Sequence, residues 1–174
     1  AARGFSSRPD ALECAQGLAA TQSVDFNPEE AMKEAPLDHH IANNLFKYHA
    51  ACYLTHGAIE AGKALRTAHS VSSNAIKSIE IQSAPVADRV CNIAKPETGL
   101  EAKFSLRLTV AMALAGRDTS GIATYTDDLT REPELVRLRD LADVSFREGY
   151  GEAQAEVAIV TADGRRFAAM HDAG

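Results

Sequence analysis

The sequence predicts an α+β fold in which an antiparallel sheet of about three to four strands carries helices on one of its faces. Segments with helical periodicity occupy much of the chain up to residue 143, whereas most strand patterns come after it. The last two strand patterns are joined by Asp163-Gly164, a pair typical of a tight hairpin. Because a late hairpin makes antiparallel pairs, this order favours an antiparallel layer over a doubly wound parallel sheet.

Two short helices are predicted near the beginning of the chain. Residues 10–22 are good helix formers, and Asp10 is placed to cap their first turn. Residues 27–35 repeat this signal, because Asn27 stands at the N-cap position, Pro28 follows at the first helical position, and two glutamates occupy the first turn. Both segments are therefore assigned to helices.

The segment from about residue 50 to residue 69 has the clearest helical periodicity in the chain. Its apolar residues form one stripe, made of Leu54, Ala58, Ala61 and Leu65. On a helical wheel, Cys52, His56 and Lys63 lie on the opposite side. His56 is therefore predicted to face either water or a second surface rather than the core beneath the stripe.

The remaining elements follow from alternation and from turn residues. Residues 76–82 alternate between apolar and polar side chains, with Ile79 and Ile81 on one face, and this predicts a half-buried strand. The apolar segment 100–116 predicts a second long helix that ends at Gly116. The last patterns predict an amphipathic helix at 132–143, a strand at 144–148 and a hairpin within 156–170.

Composition and charge exclude several classes of protein. The chain has 174 residues, 45% hydrophobic and 24% charged, which is typical of one globular domain, predicted to span residues 1–174. A formal net charge of −6 without a basic patch argues against nucleic acid as a partner, because cationic contacts to phosphate dominate that affinity. Since no apolar run reaches the ~20 residues of a membrane span, no membrane partner is expected either.

The cysteines bear on the cellular location of the protein, and the two ends of the chain bear on whether it is part of a longer protein. Cys14, Cys52 and Cys91 are odd in number and widely separated, so they do not form a disulfide framework, and a cytoplasmic location is expected. The chain begins at Ala1 without a methionine and stops at Gly174 without a helix or a cap. We therefore expect it to be a piece of a longer protein.

The stretch FKYHAACYLTHGAIEA concentrates side chains that could bind a metal ion. His49, Cys52 and His56 are of ligand type, but their spacing matches no standard zinc pattern and no fourth ligand is evident. His39 and His40 could contribute only if their loop folded back. No metal site is therefore predicted.

The same stretch contains a thiol and a lysine with two readings each. Cys52, near a helix N-terminus, could be a nucleophile with a lowered pKa, but a free cysteine is more often simply buried. Lys47, between Phe46 and Tyr48, could face solvent, or it could bind a carboxylate together with N–H groups of the helix N-terminus. The residues alone do not decide between these two interpretations of Lys47.

The stretches FKYHAACYLTHGAIEA and KPETGLEAKFSL resemble motifs of the 2-methylcitrate dehydratase (MmgE/PrpD) family. FKYHAACYLTHGAIEA is similar to the family segment F-K-x-Y-P-x-C-x-x-x-H-x-x-I-D-A through Phe46, Lys47, Cys52, His56, Ile59 and Ala61. Glu60 replaces the family's acidic residue conservatively. KPETGLEAKFSL resembles P-x-T-x-x-E-A-K-F-S-L-x-Y through Pro96, Thr98, Glu101, Ala102, Lys103, Phe104, Ser105 and Leu106. TADGRRF also fits the family's closing hairpin, so the matches occur in family order over nearly the whole chain.

The resemblance implies a fold and an activity. Family members combine a large all-helical domain with a smaller α+β domain, and this chain resembles the smaller, C-terminal one. They act on small di- and tricarboxylates, by dehydration of 2-methylcitrate (a step of propionate metabolism), decarboxylation of cis-aconitate or epimerisation of iminodisuccinate. They need no redox cofactor and generally form homodimers. Because their active site lies between the two domains, this chain by itself is expected to be inactive.

The resemblance also suggests site residues. Lys47 is the predicted catalytic residue, either as a binder of substrate carboxylate or as a participant in proton transfer, and His56 and Cys52 are predicted to contact the substrate. One departure is Leu108, which stands where the family often has a tyrosine that tends to line the pocket. It supports the alternative of a non-catalytic relative that binds a small acid or mediates dimer assembly. A free-standing regulatory module is disfavoured by the form of the two chain ends.

Overall fold

The computed structural model describes residues 9–25, 27–31, 33 and 45–174. The chain divides into two compact units, Ala1–Asn44 and Leu45–Gly174, and each has its own internal contacts. None of the described helices is long and apolar enough to cross a membrane.

The described residues of the first unit include two short helices, α1 (Leu18–Gln22) and α2 (Pro28–Ala31). Helix α1 is shorter than the predicted helix at 10–22, because residues 9–17 form turns in place of continuous helix. The predicted start of α2 is confirmed, since the Asn27 side-chain oxygen accepts hydrogen bonds from the backbone N–H groups of the two glutamates that follow Pro28. Residues 32, 34 and 35 of the predicted helix lie outside the described residues.

The second unit contains the sheet and its helices. The helices of this unit are α3 (His56–His69), α4 (Val86–Cys91), α5 (Gly99–Ala102), α6 (Leu106–Ala115) and α7 (Pro133–Asp140). The strands are β1 (Ile76–Ser83), β2 (Ala142–Phe146), β3 (Gln154–Thr161) and β4 (Arg166–Asp172). Short 3-10 turns precede α3 and β1 at Tyr53–Thr55 and Ser73–Ala75.

The four strands form one sheet in the order β2-β1-β3-β4. The β1–β3 and β3–β4 pairs are antiparallel, so the predicted α+β class with a mostly antiparallel sheet is confirmed. The β1–β2 pair is parallel, which the sequence did not predict. A parallel neighbour needs a long crossover connection, and helices α4 to α7 provide it between β1 and β2.

One face of the sheet is buried and the other is polar. The register places Ile81 beside Val144 on one side and Val157 on the other, with Ala169 next in the row, and all four side chains pack in or against the core. The opposite face carries Glu80, which pairs with Arg166 across the strands at 2.9 Å. This alternation places the core between the buried face and the helices, among which α3 packs on β3, β4 and α6.

Helix α3 begins later than the periodicity indicated. The predicted start near residue 50 is wrong, because residues 48–51 form bends and the 3-10 turn precedes the helix at His56. The predicted stripe is buried at Ala58, Ala61 and Leu65, whereas Leu54 is only partly covered. The residues of the stripe are therefore buried in the core only from the first turn of α3 onward.

The predicted helix at 100–116 is in fact two helices, α5 and α6. Ser105 between them has an extended backbone, and its hydroxyl donates to the carbonyl of Ile93 at 2.7 Å and accepts from the N–H of Leu108 at 3.2 Å. Ser105 therefore caps α6 and prevents a continuous helix. Two other local predictions are confirmed, since Gly116 ends α6 with φ 73° and Gly164 has φ 84° in the β3–β4 turn.

Candidate functional site

A cavity of about 640 Å³ opens at the first turns of α3. Its lining comes from four parts of the second unit: Tyr48 and His49 ahead of the helix, His56, Glu60 and Lys63 on it, residues 117–120 in the loop after α6, and residues 171–174 after β4. Three imidazoles, two cationic side chains and several acidic ones meet here. A cavity with convergent polar groups is the usual place for a ligand.

The segment before α3 is held in place by backbone hydrogen bonds to distant parts of the chain. The N–H of Ala50 donates to the carbonyl of Thr119, and the N–H of Cys52 donates to the carbonyl of Lys103, each at 2.9 Å. Gly57 allows the first turn of α3 to approach β3 closely, because a Cβ there would lie 2.3 Å from the carbonyl oxygen of Ala153. These contacts fix the position of His56 on the cavity wall.

His49 is fully hydrogen-bonded within the protein. Its Nε2 lies 2.8 Å from a carboxylate oxygen of Glu60, and its Nδ1 lies 2.8 Å from the hydroxyl of Thr119. Lys63 donates to the same Glu60 oxygen at 2.7 Å. Since the carboxylate can only accept, Nε2 carries the proton of the neutral ring and Nδ1 accepts from Thr119. His49 therefore has no nitrogen left for a ligand.

His56 is buried in the cavity wall without a hydrogen-bond partner. Its side chain is 1% exposed, and neither ring nitrogen is hydrogen-bonded to any residue that the structure describes. The ring packs at 4.9 Å from the His49 ring and at 5.1 Å from the Tyr53 ring, centroid to centroid. His56 therefore does not face water, and its ring packs against other residues of the same unit. An unpaired polar group at such depth is rare and points to a role.

The electrostatics keep both imidazoles neutral. Burial, the nearby His49 and the charge of Lys47 together lower the pKa of His56 to about 4, against the raising effect of the backbone carbonyls of His49 and Ala51 that interact with the ring. Burial also lowers the pKa of His49. Burial raises the pKa of Glu60, but the hydrogen bond and charge of Lys63 outweigh this effect, so the pKa is lowered and the carboxylate is ionised. Of the two buried imidazoles of the cavity, His56 is therefore the neutral one without a hydrogen-bond partner.

These pKa shifts predict a stability that falls in mild acid. His56 titrates at about 4 in the fold but near 6.5 when unfolded, so between these values the unfolded state binds more protons. The free energy of unfolding should decrease by about 1.4 kcal/mol per pH unit in this window for such a histidine. Urea unfolding between about pH 7 and pH 5 measures the slope, and His56→Gln should reduce it. An unchanged slope in that variant would contradict the assigned shift.

Lys47 lies on the surface beside this cavity. Its neighbours Phe46 and Tyr48 are 68% and 72% exposed, and Lys47 is exposed with them. Its charge adds a minor part to two lowered pKa values, that of His56, which burial lowers most, and that of Cys52, which Cys91 lowers most. The structure therefore brings Lys47 within electrostatic range of the other two predicted site residues, although Tyr48 and not Lys47 belongs to the cavity lining.

Cys52 occupies a different environment from the one predicted. It precedes the 3-10 turn with an extended backbone, so it does not share a helix face with His56, and that prediction is wrong because α3 starts only at residue 56. Its side chain is partly exposed and packs against the hydrophobic core, to which the buried Cys91 belongs. It is not among the residues that line the cavity.

The structure also bears on the possible metal ligands and on Leu108. Among the described residues, no group of three or more histidine, cysteine or acidic side chains could hold a metal ion. His39 and His40 lie outside the described residues. Leu108 is fully buried in the hydrophobic core on α6 and is not part of the cavity lining. In this chain, the position at which the family often has tyrosine is therefore a core position.

Sequence reasoning missed the roles of His49, Glu60 and Thr119. The spacing of eleven residues between His49 and Glu60 is not helical, because the first lies in the bend before α3. Thr119 belongs to a loop 70 residues farther along the chain. No local pattern links these three side chains, so only the fold brings them together. The sequence offered one indication of this site, the acidic residue that the family motif carries at the position of Glu60.

Comparison with known proteins assigns the chain to a family. No curated protein matches it. The family model described as the MmgE/PrpD C-terminal domain matches residues 49–173, which include α3 to α7, the whole sheet and the cavity lining except Tyr48 and Gly174. The match covers most of the chain and agrees with the resemblance of its two motifs. The chain therefore belongs to the MmgE/PrpD family, and residues 49–173 are its C-terminal domain.

Proposed function

We propose that this chain is the smaller domain of a longer carboxylate lyase or isomerase that dehydrates, decarboxylates or epimerises a small di- or tricarboxylate. In this proposal the cavity at α3 is the chain's share of an active site completed by an all-helical domain, and the parent protein is a homodimer without a redox cofactor. The family match supports the class of enzyme. The identity of the reaction rests on the chemistry of the cavity.

The observation that carries the proposal is the unpaired imidazole of His56. A buried polar group is normally hydrogen-bonded, and one that is not requires an explanation, which a ligand or the reaction can supply. His49, the neighbouring ring, cannot serve because Glu60 and Thr119 occupy both of its nitrogens. Of the two buried imidazoles, His56 is thus the one available to take up a proton, whereas the third ring of the lining, His171, is exposed to solvent.

The proposed role of His56 is that of a general base toward a proton alpha to a carboxylate. Its neutral state at neutral pH leaves a lone pair free to accept that proton. A pKa of about 4 makes a weak base, but a bound carboxylate would raise the pKa, since a nearby negative charge favours the protonated ring. Substrate binding would therefore raise the pKa of His56 toward neutral pH, where a general base is most effective.

Lys47 is proposed to hold a substrate carboxylate. The two cations within the cavity are already engaged, because Lys63 pairs with Glu60 and Arg117 pairs with Glu132, both at 2.7 Å. Lys47 lies just outside, near enough for its charge to act on His56. A carboxylate bound by Lys47 would neutralise that charge, which also raises the pKa of His56. Binding and activation of the base would then be coupled.

The exposed residues around Lys47 support a covering partner. Leu45, Phe46 and Tyr48 are large side chains that the second unit leaves exposed, and they flank the lysine at the cavity. A contiguous apolar segment on a surface usually marks an interaction site. In the proposal, the helical domain covers this segment and supplies the remaining acid–base groups of the active site.

The test is to compare the longer gene product with the 174-residue chain as catalysts. Both proteins would be assayed with 2-methylcitrate, cis-aconitate and iminodisuccinate, following substrate loss. We expect turnover by the longer protein only, because the chain has part of the acid–base groups that removal of a hydroxyl or carboxyl group requires. Clear turnover by the 174-residue chain would refute the interdomain site.

The alternative is a non-catalytic relative that binds a small acid or mediates dimer assembly. The missing tyrosine at Leu108 suggested this reading, but Leu108 packs in the core away from the cavity lining. The same experiment separates the two. A longer protein that is inactive on all three acids, yet melts at a higher temperature in their presence, would be a binder and not an enzyme.

Substitution of Lys47 should lower activity without lowering stability. In the longer protein, Lys47→Ala removes a charge-assisted hydrogen bond to the substrate, worth on the order of 1.5–3 kcal/mol. This corresponds to a decrease in kcat/KM of about 10- to 150-fold. The melting temperature should stay unchanged, because the side chain is exposed.

The matched control for this variant is Lys77→Ala, which removes an exposed lysine on β1. It should change neither kcat/KM nor the melting temperature. If Lys47→Ala behaves like Lys77→Ala, Lys47 is only a solvated residue before a packed helix.

A further inference from the structure

The second unit has another cavity, of about 360 Å³, whose lining is mainly basic. We call it the basic groove. Its lining comes from the loop before α5, the first turn of α6, the end of α7 and the start of β2: Ala94, Lys95, Arg107, Arg139, Asp140 and Ala142. None of these residues belongs to the lining of the cavity at α3. The basic groove has the volume of a small-ligand site and is separate from the proposed active site.

The basic groove carries a net charge of +2, although the whole chain carries −6. Its three cations are Lys95, Arg107 and Arg139, and its one carboxylate, Asp140, accepts from Nε of Arg139 at 2.8 Å. Among the described residues, neither Lys95 nor Arg107 forms an ion pair, and Arg107 donates to the neutral amide oxygen of Asn92. Two of the three cations are therefore left without a counter-charge.

The tertiary structure fixes the three cations beside one another. The hydroxyl of Ser105 donates to the carbonyl of Ile93 at 2.7 Å, which holds the segment before Lys95 against the start of α6, where Arg107 lies. Helix α7, which carries Arg139, packs on α6, and Arg139 is only 8% exposed. Side chains that are already fixed lose little entropy when they bind a ligand. Since the cations come from three separate segments, the sequence shows no basic run at any of them.

Arg107 occupies an unfavourable position for a cation when no ligand is bound. It is the second residue of α6, near the positive end of the helix macrodipole, where anions are stabilising and cations are not. Lys95 adds a like charge to the same cavity. An anion in the basic groove would offset both unfavourable interactions, because it attracts the cations and the helix N-terminus alike.

We propose that the basic groove binds a phosphate group, either as free phosphate or as a phosphate monoester. Such a group carries about −1.5 to −2 charge at neutral pH, which matches the net charge of the basic groove. The planar guanidinium groups of Arg107 and Arg139 suit phosphate oxygens, and Lys95 contributes a point charge. The phosphate would be a second ligand and not the carboxylate substrate. This inference uses neither His56 nor Lys47 and does not depend on the proposed reaction.

The test follows the melting temperature of the 174-residue chain as sodium phosphate is added, with sodium chloride keeping the ionic strength constant. We expect a saturable rise, because a ligand that binds only the folded state stabilises it. The titration is repeated with glycerol 3-phosphate, and the probe with the lower Kd shows whether the site takes a monoester or free phosphate. If neither probe raises the melting temperature relative to chloride, the proposal is overturned.

Two variants locate the bound phosphate. Lys95→Gln and Arg107→Gln each remove a charge-assisted hydrogen bond to the ligand, so each should raise the Kd about 10-fold or more. Lys95 is exposed, so Lys95→Gln should fold normally and decides the outcome even if Arg107→Gln is destabilised. A Kd that stays unchanged in Lys95→Gln would overturn the proposed site.

Two controls separate this site from general charge effects and from the cavity at α3. Arg89→Gln removes an exposed charge from α4, outside the lining of the basic groove, and should leave the Kd unchanged. Lys47→Ala should also leave the Kd for phosphate unchanged. An equal rise of the Kd in Arg89→Gln and Lys95→Gln would indicate a general charge effect, and a rise in Lys47→Ala alone would place the phosphate at α3. Either result would overturn the proposal.

Discussion

Replacing His56 by glutamine in the longer parent protein is expected to lower kcat/KM by about 100- to 10,000-fold, the usual contribution of a general base. Glutamine is close in size and can form hydrogen bonds, but it cannot accept a proton at neutral pH. Neither ring nitrogen of His56 has a hydrogen bond of standard geometry among the described residues, and the backbone carbonyls of His49 and Ala51 that interact with the ring can also accept from a glutamine amide. The loss should therefore fall on kcat, while the melting temperature changes little.

The matched control is His69→Gln in the last turn of the same helix. His69 is exposed and stacks on Phe167 with ring centroids 4.1 Å apart, at the other end of α3 from the cavity. Its replacement should leave kcat/KM unchanged. If the His56→Gln and His69→Gln enzymes had the same kinetics, His56 would have no catalytic role. The main support for the proposed function would then be lost.

The acid limb of the pH profile gives a second measure of the same role. If His56 is the base, kcat/KM of the unmodified enzyme should fall as the free enzyme's His56 becomes protonated, near its lowered pKa of about 4. That limb should be lost in the residual activity of His56→Gln. A merely structural effect of the substitution would lower the whole profile and leave its shape unchanged.

Leu65→Ala is expected to destabilise the chain by about 2–5 kcal/mol, the range for removal of a buried leucine side chain. Leu65 is 1% exposed on α3 and belongs to the core cluster that α3 shares with α6 and the sheet. Helix α6 already packs tightly against α3, since Gly62 on α3 lies against Ala113 on α6. The two helices therefore cannot move together to fill the cavity that the substitution leaves. The midpoint and slope of urea unfolding measure the loss.

Two control leucines make this measurement specific. Leu100→Ala removes a side chain that is 69% exposed and should change the free energy of unfolding by less than about 0.5 kcal/mol. Leu54→Ala should have an intermediate effect, because Leu54 only packs against the edge of the core. If the three variants were equally destabilised, the assignment of α3 to the centre of the core would be wrong.

Features set by neighbours in the sequence could be predicted from it. Asn27 caps α2, alternation defines β1, Gly116 ends α6, and Asp163-Gly164 turns between β3 and β4. Each depends on dihedral preference or on hydrogen bonds between residues a few positions apart, which propensity describes well. The two motifs likewise predicted the family, because their residues are contiguous in the chain.

Features set by distant residues could not be predicted in the same way. Helix α3 starts at His56 and not near residue 50, because Ala50 and Cys52 bond to the backbones of Thr119 and Lys103. Strand β2 pairs in parallel with β1 only after a crossover of four helices, and the break at Ser105 depends on the carbonyl of Ile93. In each case a tertiary hydrogen bond outweighs the local periodicity.

The candidate site likewise has some features that the sequence determined and others that only the fold decided. The sequence by itself determined which residue types meet near the start of α3, and it marked Lys47, Cys52 and His56 through a contiguous motif. Only the tertiary structure decided how these side chains are placed. Glu60 and Thr119 occupy both nitrogens of His49, neither nitrogen of His56 has a hydrogen-bond partner among the described residues, and Cys52 packs against the core outside the cavity lining. The reason is physical, since burial and hydrogen-bond pairing depend on contacts between distant segments, and these properties set whether an imidazole or a thiol is free to react.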